Sequence, residues 1–350
     1  MQNGLFNIAI AGCGMISGFH LAALAEIPAF RVAGVWDILP EAAAGVAGRY
    51  GVRAYRAYED ILADPAVDAV DICLPSGLHA EYGIQAAKAG KHVIVEKPLD
   101  VTREAVDGLV RACREAGVTL AGILPYRFAP SYLKVKQALD EGLLGRPIAG
   151  EAAIKWYRDE KYYASSNWKG TRRLDGGGAL MNQGIHMIDM LLWYLGEAVS
   201  AASLVRTARH RIEVEDLAVA VVEFRNGAVG TITGATALKP GFPERVEVYG
   251  EKGAVALEGG RVVRWRVDGC REEDYLDPPA THSSSADPAG ITAENHRRQF
   301  QAIAEAYRQG AQPPVAGEEA GRAVRFILAL YEADGRWVEI GTDTDLGCAK

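Results

Sequence analysis

Apolar residues form short continuous runs over the first third of the chain and alternate with polar ones over much of the rest. The two patterns predict two kinds of sheet. Runs at Asn7 to Ala11, Val32 to Asp37, Val52 to Tyr55, Ala69 to Cys73, His92 to Glu96 and Thr119 to Ile123 have the length of strands buried on both faces. Segments of helical period separate them, and Gly51, Gly90 and Gly117 stand where those helices should stop. Strands alternating with helices in this way predict a doubly wound parallel sheet over residues 1–123, with its working edge at the carboxyl ends of the strands.

From about residue 124 the character changes. A helical segment, Ser131 to Leu143, is closed by GLLG, and a long aromatic and basic loop follows from Trp156 to Arg173. LAVAVVEF, the turn Arg225-Asn226-Gly227 and AVGTITGATAL read as a hairpin, because Asn-Gly tolerates the positive φ such turns need. RVEVYG, AVALEGG and RVVRWRV continue a meander, residues 277–289 form a Pro/Ser-rich loop, and helices are expected at Ala293 to Gln309 and Glu318 to Ala333. Residues 124–350 are therefore expected to form an α+β domain with a large open, mostly antiparallel sheet and helices on one face.

Composition bounds this picture without changing it. A length of 350 residues exceeds what one core usually fills, and 49% apolar with 24% charged residues is ordinary globular material. No stretch approaches the ~20 apolar residues of a membrane helix, and no Lys or Arg precedes Arg31, so a cytoplasmic location without a cleaved signal is expected. The net charge of −7 and the lack of a basic cluster argue against nucleic-acid binding. Five cysteines, Cys13, Cys73, Cys113, Cys270 and Cys348, lack CxxC spacing and read as reduced thiols. His20, His92, His210, His282 and His296 show no metal-ligand spacing, so no metal is expected.

The first candidate chemistry lies in FNIAIAGCGMISGFHL, a strand, a tight turn and a helix. Gly12 can adopt the turn, Gly14 lets a pyrophosphate approach the main chain beside Met15 and Ile16, and the helix start offers free N–H groups. Ser17 stands where a third glycine usually does. A plain tight turn would also need glycines; Asp37, closing the next strand, is what points to a dinucleotide, because a carboxylate there accepts from a ribose 2′-hydroxyl. An anion at Asp37 with no cation at Ile38 favours NAD over NADP.

Two further motifs carry candidate chemistry. Glu96-Lys97-Pro98 ends a strand of the first sheet, where Lys97 can reach a nicotinamide crevice. The segment DGGGALMNQGIHMIDMLLWYLG brings the chain in close through three glycines and then starts a helix. At about 100° per residue, Asn182, His186, Asp189 and Trp193 share one side, opposite Leu180, Ile188, Leu191 and Leu195. A polar stripe without Lys or Arg suggests a cleft wall rather than open solvent. Oxidising an alcohol needs a base near its working pKa, and Lys97 and His186 are both candidates. Tyr126 and Arg127 follow the last strand of the first domain and can line the crevice, Arg127 reading equally as an interdomain ion-pair partner. Trp168, Lys169 and Arg172 lie in a loop able to cover a sugar.

Together the GxGxxS turn, Asp37, the loop Leu74-Pro75-Ser76 to His79, Glu96-Lys97-Pro98 and GGGALMNQGIHMID resemble the Gfo/Idh/MocA family, the glucose-fructose oxidoreductase and inositol dehydrogenase group. The similarity extends over the chain, including HRRQF near His296 and PPVAGEEAGRAV. It implies a Rossmann domain joined to an open-sheet domain, substrates that are sugars, sugar nucleotides or cyclitols, and cofactor contacts from Leu74, Pro75, Ser76, His79, Glu96 and Lys97. It also implies a cis bond before Pro98, a homodimer or homotetramer formed through the open sheet, and Lys97 with His186 as the proton-handling pair. One departure stands out: inositol dehydrogenase-like members have Asp four residues before the histidine, and this chain has Asn182. An amide still holds a hydroxyl but does not stabilise an imidazolium as a carboxylate does, which leaves Asp189 or Lys97 to compensate. The expected activity is NAD-dependent hydride transfer. The alternatives are a non-catalytic NAD-binding regulator, or an enzyme of dihydrodiol or tetrapyrrole substrates.

Overall fold

A computed structural model describes residues 5–278 and 293–341. Most of the Pro/Ser-rich loop, His282 and Cys348 lie outside the described residues. All six runs of the first third form strands: β1 (Phe6–Ala11), β2 (Phe30–Trp36), β3 (Arg53–Ala54), β4 (Ala69–Ile72), β5 (His92–Val95) and β6 (Leu120–Gly122), though the two-residue β3 at the sheet edge is exposed rather than buried. They pair in parallel in the order β3-β2-β1-β4-β5-β6. The order reverses between β1 and β4, and a crevice at such a switch point is where nucleotides bind. Helices α1 (Met15–Ala25), α2 (Pro40–Tyr50), α3 (Tyr58–Ala63), α4 (His79–Lys88) and α5 (Arg103–Ala116) join the strands.

The second sheet takes β7 (Pro147–Lys155), β8 (Ala198–Arg206), β9 (Leu217–Phe224), β10 (Val229–Ala235), β11 (Arg245–Gly250), β12 (Gly253–Glu258), β13 (Arg261–Val267) and β14 (Trp337–Glu339). Their order is β13-β12-β11-β7-β10-β9-β8-β14, antiparallel except where β10 runs beside β7. Along β9 burial alternates strictly, Ala218, Ala220, Val222 and Phe224 facing in, so the outward Val219 and Val221 remain exposed. Helices α6 (Pro130–Asp140), α7 (Glu160–Ala164), α8 (Ile185–Leu195), α9 (Glu294–Arg308) and α10 (Gly317–Glu332) complete the described elements. Among the described residues, no helix is long and apolar enough to cross a membrane.

Two compact units result, and they are not the contiguous segments 1–123 and 124–350. The first comprises Met1–Phe128, Arg173–Gly176 and Thr292–Val324; the second holds Ala129–Arg172, Gly177–Ile291 and Arg325–Lys350. The reason lies in α9, whose Phe300, Ile303, Ala304 and Tyr307 enter one core with Ile8, Ile10, Leu24 and Phe30. Its Gln299 also closes the end of β6, accepting from the Leu124 N–H at 3.0 Å and donating to the Gly122 carbonyl at 2.8 Å. Amphipathic period alone does not say which sheet a helix will cover.

Candidate active site

In the first unit, β1 ends at Gly12, whose φ of 102° is open to glycine. A Cβ there would sit 2.4 Å from the Cys73 carbonyl oxygen, so the end of β4 also demands glycine. Gly14 differs: its backbone angles are ordinary and a Cβ would meet nothing within 4 Å. The space beside it is open, as a bound pyrophosphate requires. No side chain caps the start of α1 and no acid stands in its first turn, which leaves its N–H groups and partial positive charge for an anion. Ser17 turns inward and donates to the Gly14 carbonyl at 2.7 Å. These features fit a dinucleotide. Asp37 follows β2 and accepts the N–H groups of Cys13 at 2.8 Å and Leu39 at 2.9 Å, so its carboxylate is locked beside the glycine turn. Burial pushes the Cys13 thiol up to about 12, helped by the Asp37 charge, and burial does the same to Cys73. Neither is a nucleophile near neutral pH.

After β4, Leu74 and Pro75 are half-buried and Ser76 is buried, opening a short 3-10 turn. His79 does not present its ring to a ligand: Nδ1 lies 2.7 Å from the Pro98 carbonyl and Nε2 2.7 Å from that of Leu74. Buried, it ties the loop after β4 to the loop after β5, which corrects the expected cofactor contact. Glu96 is corrected similarly, because its carboxylate turns into the interior towards His20. Lys97, half-buried, follows it, and the Lys97–Pro98 bond is cis. Burial pushes the Lys97 ammonium below the usual lysine range, while the carboxylates of Glu96 and Asp175 pull it back up. Asp175 is a residue sequence reasoning missed. It arrives on the segment Arg173–Gly176, held by the Gly77 N–H donating to the Leu174 carbonyl at 3.0 Å. Tyr126 is half-buried in the turn Pro125–Phe128, whereas Arg127 is 6% exposed and ion-paired with Glu319 at 2.7 Å. Arg127 and Glu319 both belong to the first unit.

In the second unit the glycine segment is held by Glu215, which accepts the N–H groups of Gly178 and Leu180, both at 2.8 Å, and the Tyr331 hydroxyl at 3.0 Å. A Cβ on Gly178 would lie 1.7 Å from the Glu215 carbonyl oxygen, so the close approach read from the glycines is real. Residues Ala179–Gly184 form a wide π-turn before α8. This shifts Asn182 relative to the regular helix and undoes part of the expected stripe. Asn182 and His186 are half-buried, and Asp189 is buried, 1% exposed. The stripe fails there because α8 is buried on most sides, Met187, Met190 and Leu192 included. Trp193 packs against Tyr194 and lies under the Lys136 ammonium at 5.6 Å.

The loop 156–173 is more ordered than its composition suggested. Asp159 caps α7 by accepting the Tyr162 N–H at 2.9 Å. The Tyr162 ring lies under the Lys169 ammonium at 4.3 Å and the Arg158 guanidinium at 5.6 Å, and its hydroxyl accepts from Gln183 at 3.0 Å. Lys169 is thereby brought beside the residue next to Asn182, through Tyr162 and Gln183, which the sequence reading did not single out. Trp168 is half-buried in a turn closed by Thr171, and Arg172 is exposed, donating to the Glu213 carbonyl at 3.0 Å.

Comparisons with known proteins agree with this geometry. A family model for an oxidoreductase family with an NAD-binding Rossmann fold matches residues 6–122, and one for the GFO/IDH/MocA C-terminal domain matches residues 132–256. The chain is 30% identical over 275 residues to an inositol 2-dehydrogenase of Rhizobium meliloti, covering 77% of this chain and 80% of that protein. It is 28% identical over 290 residues to the scyllo-inositol 2-dehydrogenase (NADP(+)) IolW of Bacillus subtilis, covering 79% of each. Among solved structures, the WlbA dehydrogenase of Bordetella pertussis in complex with NADH and UDP-GlcNAcA superimposes with a TM-score of 0.89 at 29% identity, covering 98% of this chain and 100% of that one. The open cradle at Gly14, the locked Asp37 and the cis Lys97–Pro98 strand end thus stand in a chain that belongs to the Gfo/Idh/MocA family of oxidoreductases.

Proposed function

We propose that this protein is an NAD-dependent dehydrogenase or reductase acting on a secondary alcohol or ketone of a sugar, sugar nucleotide or cyclitol, with Lys97 and His186 handling the proton. The observation that carries the reading is Lys97, a lysine at the carboxyl end of a Rossmann strand whose burial favours its neutral form. Bound NAD supplies a hydride acceptor, or in the reverse direction a donor, at its nicotinamide ring. Lys97 Nζ takes the hydroxyl proton as the carbonyl forms, and His186 holds or passes that proton at its imidazole. The Asn182 amide orients a neighbouring hydroxyl. Inositol, the substrate named for the relatives, and the UDP-sugar held by WlbA support a polyhydroxylated ring as substrate.

NAD rather than NADP is proposed from Asp37, although one relative is named for NADP(+). A cytoplasmic location and a homodimer or homotetramer formed through the outer face of the second sheet complete the reading. Supporting the pairing, Leu204, Val219, Val221, Val229 and Trp337 are each 42% or more exposed on neighbouring strands. A turnover screen with NAD against polyols, sugars and sugar nucleotides, read by nicotinamide absorbance, tests the activity. Lys97→Met and His186→Asn should each lower kcat by ~10² or more, with NADH affinity changed only a few-fold. Unchanged turnover in both removes the proton roles. Tight NADH binding without turnover on any such substrate points instead to a nucleotide-sensing regulator.

A further inference from the structure

The interior of the first unit holds a run of ionisable side chains that the nucleotide contacts do not use. His20 of α1 lies between two carboxylates, its Nδ1 2.8 Å from Asp71 Oδ2 on β4 and its Nε2 3.0 Å from Glu96 Oε1 just past β5. His296 of α9 approaches the same Glu96 oxygen at 3.7 Å, and Cys73 Sγ stands 3.3 Å from His20 Nδ1. All five side chains are buried. The other carboxylate oxygen, Glu96 Oε2, accepts the backbone N–H of Lys97 at 2.9 Å.

Buried groups in such contact ionise together, because each charge is tolerated only through its partner. Burial opposes charge on His20, yet Asp71 beside it holds the imidazole protonated well above its usual range. Burial likewise opposes charge on Glu96, yet His20 and His296 keep its carboxyl well below its usual range. Cys73 remains a thiol. Glu96 is therefore a fixed anion, gripped from α1 and α9, and covalently adjacent to Lys97. A surface glutamate swings among rotamers; this one has no such freedom.

We propose that Glu96 is a positioning residue for Lys97: pinned by His20 and His296, its carboxylate fixes the Lys97 backbone and places a constant negative charge beside the ammonium, setting the pH at which Lys97 releases its proton. The proposal rests on Lys97 handling the proton, and it gives that residue its tuning. Burial drives the ammonium towards neutrality, while Glu96 and Asp175 resist. Because His20 lies on the helix whose first turn offers the anion site, the same network ties that helix to Lys97.

Acylation of Lys97 by an amine-reactive reagent, followed against pH by peptide mass spectrometry on the full chain, reads its proton affinity without any substrate. Glu96→Gln keeps an oxygen for the Lys97 N–H but removes the charge, so the midpoint should fall by about one pH unit, the scale of one neighbouring charge. His20→Gln keeps a hydrogen-bonding side chain beside Glu96 but removes the imidazolium that offsets its charge, so the midpoint should rise. A purely structural network would lower the melting temperature of both variants and leave Lys97 where it was. If Glu96→Gln fails to fold, His20→Gln decides alone. An unmoved midpoint in a folded variant, or movement of both in one direction, overturns the proposal. Retained turnover in Lys97→Met would defeat the catalytic reading instead, and the titration would still report on Glu96.

Discussion

Replacing Asp37 by Ser together with Ile38 by Arg should turn the cofactor preference towards NADP. The Asp37 carboxylate is held by two backbone N–H groups, from Cys13 and Leu39, so its charge stays at the end of β2 rather than swinging away from a 2′-phosphate. The residues that follow are aliphatic and open to solvent, Ile38 at 76% and Leu39 at 55%, and offer no cation. Two unit charges ~4 Å apart interact by about 4 kcal/mol at an effective dielectric near ~20. Asp37 is half-exposed, so solvent and salt reduce this to about 1–2 kcal/mol, roughly a fivefold to thirtyfold preference for the cofactor without the phosphate. Serine removes the repulsion, and arginine at 38 adds a planar donor suited to phosphate. The variant should also lose stability, because one hydroxyl cannot accept both N–H groups as the carboxylate does. Fluorescence titration with NADH and NADPH measures both affinities without a substrate, and a thermal melt measures the second effect. A wild-type protein that binds NADPH as tightly as NADH would refute the reasoning, whatever the variant does.

Asn182→Asp places a carboxylate four residues before His186, which favours the imidazolium and should move the acidic limb of the kcat/KM profile upward by about one unit or less. A fixed profile in a folded, active variant would leave Lys97 as the sole titrating base. Glu244 supplies a stability test: burial, with the Glu258 charge adding to it, raises its carboxyl from the ordinary 4.5 to about 7. A raised folded-state value gives stability that is full below the unfolded value and lost as pH climbs through the folded one. Wild-type stability should therefore fall between about pH 4.5 and 7 by up to about 3 kcal/mol, and Glu244→Gln should flatten that slope in thermal melts across the range. A wild-type slope of opposite sign there would refute the assignment. On the outer sheet face, Val221→Glu puts a charge among exposed Val219, Leu204 and Val229 and should dissociate the proposed homodimer or homotetramer, read by light scattering; a monomeric wild type would end that proposal.

The legible parts were those governed by local pattern. Continuous apolar runs gave six strands in order, all but the exposed edge strand β3 largely buried, and the alternation of LAVAVVEF gave a sheet with one wet face, because side-chain direction repeats every second residue. The glycine turn and Asp37 were legible for the same reason: a backbone angle near 102° and a close approach to Cys73 leave glycine little competition. The helical stripe from Asn182 to Trp193 was half legible. A π-turn interrupts its period, and Asp189 is enclosed because packing, not spacing, decides which face of an all-round buried helix meets solvent.

Everything that depends on distant segments meeting was left to the tertiary structure. Asp175 comes near Lys97 only because a four-residue stretch belongs to the first unit, and α9 joins the first core although it follows the second sheet. Arg127 and His79, both read as ligands in sequence, meet Glu319 and two carbonyls. His20, Asp71, Glu96 and His296 share no spacing at all, and they become one buried polar network only once packing removes the water that would otherwise satisfy each alone. Sequence patterns carry the directions of side chains along one element; which charges lose their water together is decided when the elements pack.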